Sequence, residues 1–295
     1  MQLKAVKRLT NNKKPMKNTD LSPNNRLLHA AMDGSLKGVQ AACEAGSDVN
    51  TQHPDWGTAL FIACQDHHSR IARYLLEQPG IDITKGRISL YPQGIAGLVY
   101  LRERTEHNHT PLYAAVKAGN VRITRMLLNH ADKAKYLQPD ENWATCIKST
   151  FNYGGNPFGV SPIHDTPSLH FEKPCIFDIL LEAAEPYPEL QIFTLSGALK
   201  SALSWGGDSI NIMAEYIRNR SAHIQALTFN CVTDLIQKHV RNNKEHSLNN
   251  CLEYAPLFGT ADRLQPYLQA AHKLAQQLQH EKCANSLRAA LAELN

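Results

Sequence analysis

The sequence predicts an all-α fold in which short helix pairs stack as a solenoid, with two insertions and irregular C-terminal repeats. The stretch Asn108–Asp132 has the pattern of two short helices joined at Gly119, the second with apolar residues at near-helical spacing. Asn25 and Thr58 begin similar segments about 33 residues apart, a period typical of stacked helical repeats. One helix pair cannot bury its own apolar face, so each pair requires neighbours on both sides.

The clearest pair, Asn108–Asp132, carries the details expected of two closely packed helices. Thr110 is placed to cap the first helix, and Pro111 occupies the first helical position, where a missing N–H costs nothing. Ala114 and Ala115 are small enough for two helices to approach closely. The run TPLYAA at positions 110–115 closely matches the T-P-L-H-x-A opening of an ankyrin repeat's first helix. The sequence therefore resembles the ankyrin-repeat family, which implies a protein that binds another protein.

The neighbouring segments extend this resemblance towards the N-terminus. After Asn25 the sequence has an Ala-Ala pair, a turn at Gly34 and a GSDVN tail similar to the family's G-A-D-V-N. The next repeat begins at Thr58, and its interval from Asn25 matches the ankyrin period of about 33 residues. His67 stands at the usual glycine position of that repeat, so the turn between its helices is expected to be strained.

The intervals further along the chain are longer than one period. Thr58 to Thr110 and Thr110 to Ser161 each exceed the period of about 33 residues, so an insertion follows each of these two repeats. Insertions into such repeats map to one face of the solenoid, often the binding face. The predicted organisation is a basic flexible leader at 1–23, N-terminal repeats at 24–132 with an insertion at 85–107, a second insertion at 133–158, ankyrin-like helical repeats at 159–269, and a capping helix at 270–295.

Two helices are predicted within the insertions. Gln93–Arg104 is apolar enough for a short extra helix, and Asp140 is placed to cap a helix that runs through Ser149.

Charge and composition narrow the class of partner. The net charge is +4, but residues 1–17 hold six Lys and Arg and no acid, so the remainder has 25 basic against 27 acidic residues. Nucleic-acid binding needs a broad basic surface, which these totals do not favour. No apolar run reaches the length of a membrane span, and no apolar segment follows the basic N-terminus as in a secretory signal peptide. We therefore expect a monomeric cytoplasmic protein with a protein partner, no nucleic acid and no membrane span.

No catalytic, cofactor-binding or metal-binding residue is predicted. The seven cysteines are odd in number and dispersed, as reduced core residues are. The glycine-rich segment 154–159 lacks the Gly-Lys-Ser/Thr of a phosphate loop. His164, His170 and Cys175 are close in sequence, but neither CxxC nor HExxH occurs anywhere in the chain.

Aromatic and arginine residues mark the candidate partner-binding site. Such residues carry much of the binding energy at protein interfaces. They concentrate in the finger before Thr58 and in the two insertions, and the predicted contacts are Trp56, Tyr91, Tyr100, Arg102, Arg104, Trp143 and Tyr153. The alternative for each aromatic ring is that it packs the insertion against the solenoid and does not contact a partner.

Three functional interpretations follow from the sequence. The first is a non-catalytic protein-binding module that uses the concave face and the fingers. The chain has irregular repeats, an Asn/Gln-rich composition and no signal peptide, and in these features it resembles effectors that intracellular bacteria inject into host cells. In that case the partner is a host protein, and the chain is secreted without a conventional signal peptide. The second is an enzyme of cysteine-hydrolase type in the C-terminal half, targeted by the repeats. The third is a eukaryotic cytoplasmic adaptor.

Overall fold

The computed structural model describes residues 22–91, 105–150, 176–205 and 207–294. These residues form two compact units, which divide between Asp132 and Lys133. Fourteen α-helices lie in this part of the chain, and its strands form two antiparallel pairs of two strands each. The prediction of an all-α fold without a substantial sheet is confirmed. No helix in these ranges is long and apolar enough to cross a membrane.

The first unit consists of three helix pairs with strand pairs between them. In chain order its elements are α1 (Pro23–Met32), α2 (Leu36–Glu44), β1 (Gln52–His53), β2 (Gly57–Thr58), α3 (Ala59–Gln65), α4 (Ser69–Leu76), β3 (Arg87–Tyr91), β4 (Thr105–His109), α5 (Pro111–Lys117) and α6 (Val121–Leu128). Helices α1, α3 and α5 contact one another in series, and α2, α4 and α6 form a second row. This is the predicted stacking of helix pairs.

A side-chain oxygen caps the first helix of each pair. Ser22, Thr58 and Thr110 each accept a hydrogen bond from the backbone N–H three residues further on. The cap at Thr110 was expected. The first repeat differs from the prediction, because its helix begins at Pro23 instead of near Asn25. Ser-Pro supplies both an N-cap and a first helical residue, so the helix starts almost one turn earlier.

The turn inside each pair needs a left-handed backbone. Gly34, His67 and Gly119 have φ angles of +67°, +62° and +69°. Gly34 is also crowded, since an added Cβ would lie 2.8 Å from the His68 ring of the next pair. His67 adopts the conformation that costs a non-glycine residue about 1 kcal/mol or more. Its Nδ1 lies 3.1 Å from Nδ2 of Asn120.

The first insertion begins and ends as a β-hairpin. Strand β3 pairs with β4 antiparallel, from Arg87 opposite His109 to Tyr91 opposite Thr105. The insertion predicted at 85–107 is therefore continuous with the finger between α4 and α5. The extra helix predicted at Gln93–Arg104 lies outside the described residues.

The second unit is built from longer helices. Its elements are α7 (Glu141–Thr150), α8 (Ile176–Ala184), α9 (Pro188–Trp205), α10 (Gly207–Arg218), α11 (Ala222–Arg241), α12 (Glu245–Tyr254), α13 (Ala261–Gln277) and α14 (Glu281–Glu293). Helices α9, α11 and α13 contact in series, and each is followed by a shorter helix that packs against it. Helix-pair stacking thus continues, with first helices of 17 to 20 residues where the first unit has 7 to 10.

Helix α7 belongs to the core of this unit. Asp140 caps it as predicted, accepting from the N–H of Trp143 at 2.9 Å. Trp143, Cys146 and Ile147 are fully buried, and α7 packs against α8 and α9. The segment predicted as a projecting insertion at 133–158 therefore contributes a core helix, because its apolar side chains fit the face of α9.

The C-terminal end contains a helix pair instead of the single capping helix predicted at 270–295. Residue 270 lies within α13, which ends at Gln277, and α14 begins at Glu281. Gln279 between them has a φ of +59°. The i, i+4 leucine pairs that suggested one helix fall on two helices, which pack against each other.

Candidate protein-binding site

Two fingers project side by side from the helix pairs of the first unit. The first is Gln52–Thr58, with β1 and β2 as its sides, and the second is the β3–β4 hairpin. Gln52 Nε2 donates to the carbonyl oxygen of Gly86 at 2.8 Å, and Thr58 Oγ1 donates to that of Lys85 at 2.9 Å. An added Cβ at Gly86 would lie 1.7 Å from the His109 carbonyl oxygen, so only glycine fits there. The bases of the fingers are held at fixed positions.

Trp56 is the exposed aromatic residue of the first finger. Its ring stacks on His53, with centroids 3.9 Å apart and planes 15° apart, and it meets His29 of α1 edge-on at 5.4 Å. The side chain nevertheless remains 36% exposed. A ring that is fixed by its neighbours and open to solvent loses little entropy when a partner covers it.

The loop before the first finger is tied to the next repeat. Asn50 Nδ2 donates to the carbonyl oxygen of Gly80 at 2.8 Å, and Asn50 Oδ1 accepts from the N–H of Asp82 at 2.7 Å. One repeat earlier, Asn24 Oδ1 accepts from the N–H of Asp48 at 2.9 Å. These amide bridges fix the spacing of adjacent loops, so the row of fingers is organised before any partner binds.

Comparison with known families agrees with this geometry. The family described as ankyrin repeats (3 copies) matches residues 2–87, and the one described as ankyrin repeat matches residues 107–136. The chain contains ankyrin repeats. No curated protein matches the sequence. Among the described residues, these matches include the three helix pairs of the first unit, and ankyrin repeats indicate a protein–protein interaction module.

The structure separates the predicted contact residues into three groups. Trp56 lies exposed on the ankyrin finger, and the backbone of Tyr91 ends β3. Tyr100, Arg102, Arg104 and Tyr153 lie outside the described residues. The prediction is wrong for Trp143, which is 1% exposed and donates its indole N–H to Thr194 Oγ1 at 2.8 Å. An amphipathic helix buries its tryptophan when a neighbouring helix offers both an apolar face and an acceptor.

The buried cysteine thiols have pKa shifts opposite in direction to that of a hydrolase nucleophile. Burial raises the pKa of Cys64 and Cys146, and it raises that of Cys231 and Cys251 to about 11. Nucleophilic cysteines need the opposite shift, because the thiolate is the attacking species. The thiols of Cys231 and Cys283 donate to oxygens, the carbonyl of Ile192 and Oδ1 of Asn243, both 3.7 Å away. The described ranges also hold no group of ligands arranged for a metal ion.

Sequence reasoning missed the histidines beside Trp56. His29 and His53 are distant in the sequence and belong to a helix and a finger, so no local pattern joins them. It also missed a polar cluster in the second unit, where Asp178 accepts hydrogen bonds from Tyr216 Oη at 2.5 Å and from the Arg220 guanidinium. Arg220 lies over the Tyr216 ring at 4.2 Å. The i, i+4 spacing of Tyr216 and Arg220 is the sequence pattern that could have indicated this contact.

Proposed function

We propose that this ankyrin-repeat protein is a non-catalytic binding protein that captures a partner protein on the fingers of its first unit, with Trp56 as an anchor. The observation that carries the proposal is a tryptophan stacked on His53 and still open to solvent. Trp is among the residues most enriched at interface hot spots. The fixed finger bases support the same conclusion, since a preorganised site loses less entropy on binding.

The experiment begins with affinity capture from a host-cell lysate and identification of the retained proteins by mass spectrometry. The purified partner is then titrated against wild type and Trp56→Ala by calorimetry. We expect the substitution to weaken binding by about 1–2 kcal/mol, as interface anchors do. The melting temperature should stay near that of wild type, because the Trp56 side chain lies on a finger and is not part of the core.

Tyr187→Ala is the matched control. Tyr187 is 40% exposed in the second unit, so it tests the loss of an exposed aromatic residue away from the fingers. If wild type and Trp56→Ala bind a verified partner with equal affinity, the binding site does not include Trp56. A sharp drop in the melting temperature of Trp56→Ala would instead show that the indole ring stabilises the fold by packing on α1.

The longer second finger is proposed to add specificity through Tyr91, Tyr100, Arg102 and Arg104. Arg104→Ala is expected to weaken partner binding by about 1–2 kcal/mol. The resemblance described above still predicts that the chain is an injected bacterial effector and that its partner is a host protein. The source organism of the chain separates that prediction from the eukaryotic adaptor.

A further inference from the structure

An open groove of about 450 Å³ lies in the second unit between α7 and α9. Ala144, Phe193 and Gly197 form its apolar part, and Lys148 and Lys200 bring two ammonium groups to it. The helices approach closely beneath it, since an added Cβ at Gly197 would touch Ile147 at 3.4 Å. The groove thus combines an apolar part with one lysine from each of the two helices.

The cations of this region lack compensating carboxylates. Among the described residues, no carboxylate lies within ion-pair distance of Lys148, Lys200 or Lys238. Asp234 stands one turn before Lys238 on α11 without forming an ion pair with it. Burial and the neighbouring Lys238 ammonium lower the pKa of Lys200. A bound anion would favour the charged form of Lys200 and so offset both effects.

The lysines are also the available donors for an anion in the groove. Ser201 Oγ donates to the carbonyl oxygen of Gly197 at 2.9 Å, and Ser204 Oγ donates to that of Ser201 at 2.8 Å. Their hydroxyl hydrogens are therefore directed to the backbone. Anion recognition here rests on Lys148 and Lys200.

The charge of the whole unit selects the kind of anion. Residues 133–295 contain 14 Lys and Arg against 16 Asp and Glu, so the groove is a local basic site on a slightly acidic unit. An extended polyanion needs a broad basic surface. A short peptide needs only two or three charges and gains from apolar contact. We infer that this groove binds an acidic peptide segment of a partner protein, with an apolar side chain against Phe193 and carboxylates on Lys148 and Lys200.

This inference is independent of the fingers of the first unit, because it rests on residues of the second unit alone. The test uses the full chain and a fluorescein-labelled peptide Glu-Glu-Leu-Phe-Glu-Glu, followed by fluorescence anisotropy. The peptide Gln-Gln-Leu-Phe-Gln-Gln is the neutral control. We expect the acidic peptide to bind about tenfold more tightly than the neutral one, and its affinity to fall as NaCl is raised.

Charge reversal then locates the site. Lys148→Glu and Lys200→Glu should each weaken binding of the acidic peptide about tenfold, because each replaces an attraction by a repulsion. Lys273→Glu is the matched control, since Lys273 is exposed on α13 of the same unit and does not line the groove. Circular dichroism melts should show that all three variants keep the wild-type fold.

Four results would overturn the inference. The first two are no binding of the acidic peptide by wild type, and an equal loss of affinity in Lys273→Glu and Lys200→Glu. The third is displacement of the peptide by inorganic phosphate at equal concentration. The fourth is preferential binding of the protein to phosphatidylserine vesicles, lost in Lys148→Glu. The last two would assign the lysines to a phosphate group or to a membrane surface.

Discussion

Trp143 and Thr194 join α7 to α9 through a hydrogen bond buried inside the second unit. The indole N–H donates to Thr194 Oγ1 at 2.8 Å, and that hydroxyl donates in turn to the carbonyl oxygen of Leu190 at 2.7 Å. Both side chains are at most 1% exposed. The pair therefore fixes the position of α7 on α9 as well as filling the core.

Removal of the Trp143 side chain should destabilise the protein strongly. Trp143→Ala is expected to lower the free energy of unfolding by about 3–5 kcal/mol, since it leaves a cavity. Thr194→Val keeps the volume but leaves the indole N–H unpaired, at a cost of about 1–3 kcal/mol. Urea titrations followed by circular dichroism measure both. A Trp143→Ala variant that unfolds like wild type would place the ring on a surface.

The left-handed turn at His67 allows its backbone strain to be isolated. His67→Ala and His67→Gly both remove the contact with Asn120, but only glycine accepts a φ of +62° without cost. We expect His67→Gly to be more stable than His67→Ala by about 1 kcal/mol. Thermal melts of the two variants give the difference. Equal stability would show that His67 is not held in this conformation in solution.

Overpacking at Ala115 tests the close approach of helices in the ankyrin unit. Ala115 is fully buried in α5, so Ala115→Leu should destabilise the protein by about 1–3 kcal/mol. The matched control is Ala41→Leu in α2, where the side chain is exposed and the added atoms meet solvent. A melting temperature for Ala115→Leu equal to that of wild type would contradict the helix register described here.

The cysteine thiols should react slowly in the folded protein. At pH 8 a thiol of pKa about 11, such as Cys231 or Cys251, is a thiolate in about one molecule per thousand. A raised pKa therefore lowers reactivity at this pH. In a Cys175→Ser background, Ellman's reagent is expected to modify the native chain slowly and all six remaining thiols quickly after unfolding in guanidinium. Reaction of one native thiol within seconds would favour the cysteine-hydrolase interpretation.

Local rules predicted the helix pairs of the first unit. Thr110 and Pro111 indicated a helix start, and the regular spacing of the repeats placed the turns at Gly34 and His67. Such features depend on a few neighbouring residues and on backbone geometry. The same rules predicted the Asp140 cap of α7 in the second unit. They did not predict the hairpin at the ends of the first insertion, because its strand pairing joins Arg87 to His109, which are not neighbours in the sequence.

The sequence by itself determined that the chain is helical, that its N-terminal repeats are of ankyrin type, and that Trp56 stands on a finger. Tertiary structure decided which side chains face solvent. Trp143 and Trp56 are both predicted contact residues, yet one is buried against α9 and the other stacks on His53 and remains exposed. The apolar face and acceptor that bury Trp143 come from a helix that is distant in the sequence. Packing between distant segments is therefore what separates a core residue from a binding residue.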